Sequence, residues 1–189
     1  MTQDDVLQLF RRSGALLEGH FRLTSGLHSP GYLQCALVLQ YPPDAEALAR
    51  ALAERVAVLA PTVVLSPALG GIVIGHEMGR ALGVRAIFAE RQDSVMTLRR
   101  GFSLTPSDRV VVIEDVVTTG GSTKETMAVA NAAGATVVGA GAIIDRSGGK
   151  TSLDVPFRAL AELTVPAHQP DSCPLCAAGM AITKPGSRA

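Results

Sequence analysis

The N-terminal fifth of the chain changes from a helical to an extended hydrophobic pattern. Apolar side chains recur every three or four residues from Val6 to Leu17, which predicts an amphipathic helix over about 3–18. Residues 20–41 carry Ser, Pro and Gly turns between short apolar runs, so we expect extended segments and loops there. A second helix is predicted to begin near Pro43, after which apolar residues again recur at helical spacing.

From residue 63 onward, short apolar runs alternate with amphipathic stretches. The predicted strands are 63–65, 85–89, 110–113 and 136–144, and the predicted helices are 72–82 and 123–133. A polar, irregular connection over 90–108 separates the second strand from the third, and long connections of this kind are usually functional or mobile. Strands that alternate with helices indicate βαβ units, so we predict an α/β fold with a mostly parallel sheet flanked by helices.

Four loops are expected to lie together at one edge of this sheet. Ligands of parallel sheets bind beyond the carboxyl ends of the strands. That rule selects the loops 66–71, 90–101, 114–122 and 145–150.

The composition limits the classes of function. The length of 189 residues favours a single domain. Lys+Arg of 17 balances Asp+Glu of 17, so no global charge attracts nucleic acid or an anionic membrane. The chain has no Trp for base stacking, no signal-peptide pattern, no run of about 18 apolar residues and only three cysteines. We therefore expect a cytoplasmic protein that binds neither nucleic acid nor membrane.

The segment VVVIEDVVTTGGST, residues 110–123, carries the clearest chemistry. A Gly/Ser/Thr loop between a strand and a helix offers backbone N–H groups to a phosphate, but this loop lacks the lysine of a nucleotide-triphosphate cradle. Glu114 and Asp115 would repel a bare phosphate, whereas the hydroxyls of a phosphorylated ribose can donate to them, with Mg²⁺ nearby. Alone, the acids could merely end a strand and Ser122 or Thr123 cap a helix. The whole block favours a ribose-phosphate site.

This block resembles the ribose-phosphate motif of the type I phosphoribosyltransferases, which use 5-phosphoribosyl 1-diphosphate (PRPP). FRLTSGLHSPGYLQ (21–34) and IIDRSGG (143–149) look like the orotate phosphoribosyltransferase branch. The resemblance implies transfer of the phosphoribosyl group from PRPP to orotate, giving orotidine 5-monophosphate and diphosphate for pyrimidine biosynthesis, with Mg²⁺ bound mainly through PRPP. It also implies a homodimer of single-domain chains, each with an N-terminal hood (about 1–42) over the base and a C-terminal tail (about 166–189).

The resemblance also implies roles for individual residues. Glu114 and Asp115 would bind the ribose hydroxyls. The 5-phosphate would be wrapped by Val116, Val117, Thr118, Thr119, Gly120, Gly121 and Ser122. Thr118 and Arg146 match orotate contacts, and a guanidinium can hold the orotate carboxylate through two parallel hydrogen bonds.

Two further loops match the family in position. Residues 66–71 (SPALGG) correspond to a pyrophosphate loop, and 90–101 to a mobile loop that closes over the neighbouring subunit's site. In the mobile loop, the expected catalytic residues are Arg91, Arg99 and Arg100, which would bring positive charge to the departing diphosphate. Many members have Lys where this chain has Thr24 and Gly70. Either Arg99 and Arg100 replace that charge, or the activity is low or altered.

Two alternatives to this function remain at this level. The acceptor could be another base, such as adenine, or the protein could be a PRPP-sensing regulator. The Arg146 position and the FRLTSG segment favour orotate, and the acidic start at Asp4 and Asp5 disfavours a nucleic-acid regulator. No metal ligands are predicted within the active site.

The Cys173-Pro-Leu-Cys176 pair in the tail is not explained by the reaction. It supplies two of the four ligands that structural zinc prefers, and His168 with Cys35, or a second subunit, could supply the others. We rank a plain structural loop ahead of zinc, and zinc ahead of a redox role.

Overall fold

The N-terminal region combines a short helix with a β-hairpin. In the computed structural model, which describes residues 1–23 and 25–184, helix α1 spans Gln3–Arg12 and strands β1 (Leu16–Arg22) and β2 (His28–Leu33) pair antiparallel. The predicted helix over 3–18 was therefore too long. Gly14 follows α1 with a φ of +70°, a conformation that reverses the chain and that glycine adopts readily. Thr24, one of the two departures from the family pattern, lies outside the described residues.

The rest of the described chain follows the predicted alternation. In order, the elements are α2 (Ala36–Leu39), α3 (Pro42–Val56), β3 (Val63–Pro67), α4 (Gly70–Leu82), β4 (Arg85–Gln92), β5 (Val95–Leu98), β6 (Arg109–Val117), α5 (Gly121–Ala132), β7 (Thr136–Asp145), β8 (Phe157–Glu162) and α6 (Pro174–Ala177). Strands form one sheet in the order β5-β4-β3-β6-β7-β8, in which only β4 and β5 pair antiparallel. The predicted α/β class, with a mostly parallel sheet flanked by helices, is confirmed.

The sheet is covered on both faces, and β6 contributes to both cores. Val111 and Ile113 pack in the cluster that contains the apolar side chains of α3 and α4. Val110 and Val112 point to the opposite face and join the cluster that contains Met127 of α5. Since side chains alternate along a strand, consecutive residues beyond Ile113 also point to opposite faces.

Two strands were not predicted. The segment 90–101, expected to be irregular, contains the end of β4 and all of β5, joined by a two-residue turn in which Asp93 and Ser94 have φ of +50° and +68°. Two positive φ values in such a turn match the twist of the paired strands. Strand β8, with the sequence FRALAE, has little β-branched character and forms because it pairs with the edge of β7.

Across residues 1–23 and 25–184, every helix falls short of the length and apolar character that a bilayer span requires.

Candidate active site

The predicted ligand loops do share one edge of the sheet. Strand β6 pairs in parallel with β3 on one side and with β7 on the other, and β3 also pairs in parallel with β4. The carboxyl ends of these four strands therefore point the same way. The loops 66–71, 114–122 and 145–150 and the start of 90–101 all leave from that edge.

The predicted phosphate loop connects β6 to α5. Thr118, Thr119, Gly121 and Ser122 are exposed. Helix α5 begins at Gly121 and its N-cap is Gly120, so neither Ser122 nor Thr123 caps it, as the alternative interpretation of this loop would require. The first N–H groups of a helix have no partner within the helix and favour anions, so the loop can bind a phosphate.

Gly120 is required for the shape of this loop. Its φ is +77°, and a Cβ there would lie 2.7 Å from Cγ2 of Thr151. The Thr151 hydroxyl also donates to the carbonyl oxygen of Thr118 at 3.2 Å. Thr151, which lies beyond β7, thus packs against the phosphate loop and hydrogen-bonds to it, and no sequence motif indicated this contact.

The two acids lie on opposite faces of the sheet. Glu114 points toward α5 and is buried, and the Thr123 hydroxyl donates to its Oε1 at 2.9 Å. Burial raises the pKa of Glu114 to about 7, the bond from Thr123 opposes the shift, and the charge of Asp115 adds to it.

Asp115 points toward α4. Burial raises the pKa of this carboxyl as well, while hydrogen bonds, including those from the Val116 backbone and the Cys35 side chain, act in the opposite direction. A Cβ at Gly70 would lie 2.9 Å from each Asp115 carboxylate oxygen. The absence of a side chain at Gly70, a departure from the family pattern, therefore leaves room for the Asp115 carboxylate.

Glu114 is expected to make stability depend on pH. Its folded-state pKa, about 7, exceeds the ordinary value of 4.5. Between these two pH values the folded protein therefore keeps a proton that the unfolded chain has released. The resulting stabilisation is full below about pH 4.5 and is lost as pH rises through about 7, by about 3 kcal/mol in total. Glu114→Gln should reduce this loss when urea unfolding is compared at about pH 5 and about pH 8. Glu54→Gln, at an exposed position of α3, is the control; equal pH dependence in both variants would contradict the assignment.

Arg146 lies just after β7 in a tightly held turn. Its backbone N–H donates to Val117 O at 2.8 Å, and Oδ1 of the buried Asp145 accepts from the Ser147 N–H at 2.7 Å. The Arg146 side chain is partly buried. Within the described residues, its buried Nε has no hydrogen-bond partner. Burial lowers the pKa of Arg146, and Cys35 and the hood residue Tyr32 oppose that shift.

A cationic side chain in this position favours an anionic ligand. An unpaired polar group in a partly buried site loses hydration that a ligand carboxylate can replace with two charge-assisted hydrogen bonds. Burial, with the nearby Asp115, raises the pKa of the Cys35 thiol well above the usual range, so Cys35 can oppose the shift of Arg146 only at alkaline pH and is uncharged near neutrality. Asp145 and Tyr32 were given no role from the sequence, although they lie in the quoted motifs, and Cys35 was considered only as a possible zinc ligand.

The predicted pyrophosphate loop joins β3 to α4. Helix α4 begins at Gly70, two residues earlier than predicted, and Leu69 is exposed. The peptide bond between Ala68 and Leu69 is cis. The buried Ser66 hydroxyl has no partner within the described residues.

The three predicted catalytic arginines are held by acids of their own chain. Arg91 pairs with Glu125 of α5 at 2.5 Å and donates to Ser94 O. Arg100 donates to Oε2 of Glu90 at 3.0 Å and forms an ion pair with Oε1 at 2.9 Å, and Arg99 lies 3.8 Å from the same Oε1. The structure thus places Arg91 beside the helix that follows the phosphate loop, and gathers Arg99 and Arg100 at the base of the β4–β5 hairpin.

Comparison with known proteins gives close full-length relatives. The orotate phosphoribosyltransferase of Heliobacterium modesticaldum is 56% identical over 190 residues, covering 100% of both chains. That of Pelotomaculum thermopropionicum is 53% identical over 188 residues, covering 100% of this chain and 99% of the other. No family model matches the chain.

Solved structures resemble this fold at low sequence identity. An orotate phosphoribosyltransferase from Aeropyrum pernix superposes with a TM-score of 0.72 at 24% identity, covering 84% of this chain and 93% of the other. An adenine phosphoribosyltransferase from Trypanosoma brucei gives a TM-score of 0.63 at 19% identity, over 82% and 79% of the two chains. These likenesses concern the fold alone.

Proposed function

Because the chain belongs to the orotate phosphoribosyltransferase family, we propose that it transfers the phosphoribosyl group of PRPP to orotate. The products are orotidine 5-monophosphate and diphosphate, a step of pyrimidine biosynthesis. The observation that carries this function is 53–56% identity to proteins of that name over the entire chain. Neither alternative, another acceptor base or a regulator, gains support from these relatives.

PRPP binding is assigned to the loop after β6. The exposed N–H groups at the start of α5 suit the 5-phosphate, and the carboxylates of Glu114 and Asp115 suit the ribose hydroxyls. Asp115 also offers the oxygen ligands that Mg²⁺ prefers, at the edge where the diphosphate would lie. Mg²⁺, held mainly by PRPP oxygens, supplies positive charge that offsets the negative charge of the diphosphate.

Orotate binding is assigned to Arg146 and Thr118. The guanidinium of Arg146 has a buried nitrogen that no group among the described residues accepts from, and orotate carries a carboxylate that accepts in a matching geometry. Holding the carboxylate orients the ring so that N1 can attack C1 of the ribose from the face opposite the diphosphate. Orotate loses its N1 proton readily, so the site needs positioning and charge rather than a strong general base.

The reaction is tested by mixing the purified protein with orotate, PRPP and Mg²⁺ and following the loss of orotate absorbance. Turnover with orotate and none with adenine is the expected result. Turnover with another base but not with orotate, at high enzyme concentration, would overturn the substrate assignment.

The loop arginines are expected to act on the chemical step. All three arginines are exposed in their present ion pairs, and pairs of exposed side chains are worth at most about 1 kcal/mol, so a diphosphate can displace them. The contact of Arg99, at 3.8 Å, is the longest of the three, so its displacement costs the least free energy. Removing the arginine that reaches the diphosphate should lower kcat by about 100-fold, as loss of a transition-state donor does elsewhere. Single alanine variants at Arg91, Arg99 and Arg100 test this, with Arg50→Ala on α3 as control; three variants with unchanged kcat would refute it.

The homodimer is also proposed, with the loop of one subunit serving the site of the other. Leu69, Val73 and Val95, near the site loops, are exposed apolar residues that a partner could cover. If sites are shared, an equal mixture of Asp115→Asn with the most damaging arginine variant forms mixed dimers with one intact site each. About a quarter of wild-type activity should then return. No recovery on mixing would place each loop in its own subunit's site.

We place the protein in the cytoplasm, in keeping with its free cysteines.

A further inference from the structure

A cluster of two histidines and two cysteines joins the hood to the C-terminal tail. His20 lies on β1, His28 on β2, Cys173 directly before α6 and Cys176 within α6. One ligand atom from each lies within 4.8 Å of the other three. His20, His28 and Cys173 are buried, and Cys176 is exposed.

This set differs from the partners expected for the cysteine pair. Cys35 lies in the core beside Asp115, and His168 meets the hood through backbone hydrogen bonds to His28. The two histidines are instead supplied by the hairpin, which brings them side by side from paired strands about 150 residues away from the cysteines.

The separations of the ligand atoms approach those of a tetrahedral zinc site. His20 Nε2 lies 3.0 Å from His28 Nδ1 and 3.6 Å from Cys173 Sγ, and Cys176 Sγ lies 3.7 and 3.2 Å from the same two nitrogens. Zinc–nitrogen bonds of about 2.0–2.1 Å and zinc–sulfur bonds of about 2.3 Å give tetrahedral edges of about 3.3–3.8 Å. We propose that His20, His28, Cys173 and Cys176 bind one Zn²⁺.

The hydrogen bond on the far side of His20 prepares it as a ligand. Its Nδ1 lies 2.9 Å from the carbonyl oxygen of Met180, which can only accept. The proton therefore resides on Nδ1, and the lone pair of Nε2 points into the cluster. Metal-binding histidines commonly have their other nitrogen held in this way.

The ligand types select the metal and its role. Two thiolates and two imidazoles favour Zn²⁺ over Mg²⁺, which prefers oxygen. Four protein ligands complete the coordination and leave no position for a substrate. This site is therefore structural and separate from the Mg²⁺ of the reaction.

The C-terminal tail has few buried contacts that could hold it against the hood. Within residues 166–184, the only buried residue is Cys173, so apolar burial contributes little to holding the segment. Its backbone adds to both edges of the hairpin: Thr183 exchanges hydrogen bonds with Arg22 and His20, and His168 does so with His28. Zinc at the junction would hold these otherwise weak contacts together.

Metal analysis of the purified full-length protein tests the proposal. We expect about one zinc per chain in the wild type and almost none after Cys173→Ser with Cys176→Ser. Cys35→Ser and His168→Ala are matched controls that keep the metal. A wild-type protein that holds no zinc and takes up none, or controls that lose zinc equally, would overturn the proposal.

Two measurements on the wild type decide the case even if the cysteine variants do not fold. Co²⁺ exchanged into the protein should show the visible bands of a tetrahedral site and a thiolate-to-metal charge-transfer band; a spectrum without both excludes these ligands. Removing zinc with a chelator should lower Tm by about 5 °C or more, restored by Zn²⁺ and not by Mg²⁺. Zinc loss with an unchanged Tm would refute the structural role. None of these readouts depends on turnover.

Discussion

Replacing Arg146 with Ala is expected to raise KM for orotate by about 30-fold or more while KM for PRPP changes little. Truncating one partner of a buried, hydrogen-bonded charge pair costs about 2–5 kcal/mol, and 2 kcal/mol corresponds to a factor of about 30. The orotate carboxylate would lose both of its parallel hydrogen bonds. Steady-state kinetics with each substrate varied in turn measure the effect.

Stability separates this functional loss from misfolding. In the free protein, the buried Nε of Arg146 has no partner among the described residues, so its removal sacrifices no hydrogen bond made by that atom. Tm of Arg146→Ala is therefore expected to stay level or rise, as happens at sites where function opposes stability. Arg146→Lys should recover part of the affinity, because it keeps the charge but loses the planar fork.

The matched control is Arg158→Ala, an exposed arginine on β8. It should leave both KM values unchanged. If Arg146→Ala weakened orotate and PRPP equally, the guanidinium would not be the carboxylate ligand.

Asp115→Asn should act on PRPP instead. Hydrogen bonds to a charged group contribute about 1.5–3 kcal/mol, so losing them should lower kcat/KM for PRPP by about 10- to 100-fold. The change keeps the shape of the side chain but replaces one accepting oxygen with a donor, which ribose hydroxyls cannot use as they use a carboxylate. The variant also removes a negative charge near the sugar, where positive charge develops in the transition state.

The fold of this variant should be preserved. Burial makes the charge of the Asp115 carboxylate costly and so raises its pKa, and an uncharged amide of the same shape removes that cost and should be tolerated. Asp4→Asn on α1, exposed and remote from the sheet edge, is the control. A rise confined to KM for orotate would contradict the assignment of Asp115 to the ribose.

The departure at Gly70 has a local structural explanation. The family resemblance implies Lys at this position, whereas here a Cβ would meet the Asp115 carboxylate at 2.9 Å. Gly70 and Asp115 therefore share one space, and a side chain at position 70 would require Asp115 to move. The sequence shows that position 70 lacks a positive charge, but not that Gly70 packs against the Asp115 carboxylate.

Local pattern predicted most of the central sheet because its strands are buried on both faces. Continuous apolar runs at 63–65 and 110–113 can only be satisfied inside a sheet, and the turn chemistry after β6 indicated an anion loop. The incorrect predictions concern element boundaries and edge strands, which depend on turns and on pairing with a neighbouring strand. Gly14 stopped α1 early, the Asp93-Ser94 turn paired β5 with β4, and β8 formed on the edge of β7.

The amino-acid sequence by itself determined the α/β class and the ribose-phosphate motif, since both depend on residues adjacent along the chain. Tertiary structure alone decided that Glu114 and Asp115 face opposite sides of the sheet and that Cys173 and Cys176 meet His20 and His28. It also decided that Arg146 has a buried nitrogen with no partner in the part of the chain that the structure describes. The reason is physical. The burial of a side chain, the charges around it and the grouping of candidate metal ligands all depend on residues far apart in sequence. Only the packing of the hood, sheet and tail brings those residues together.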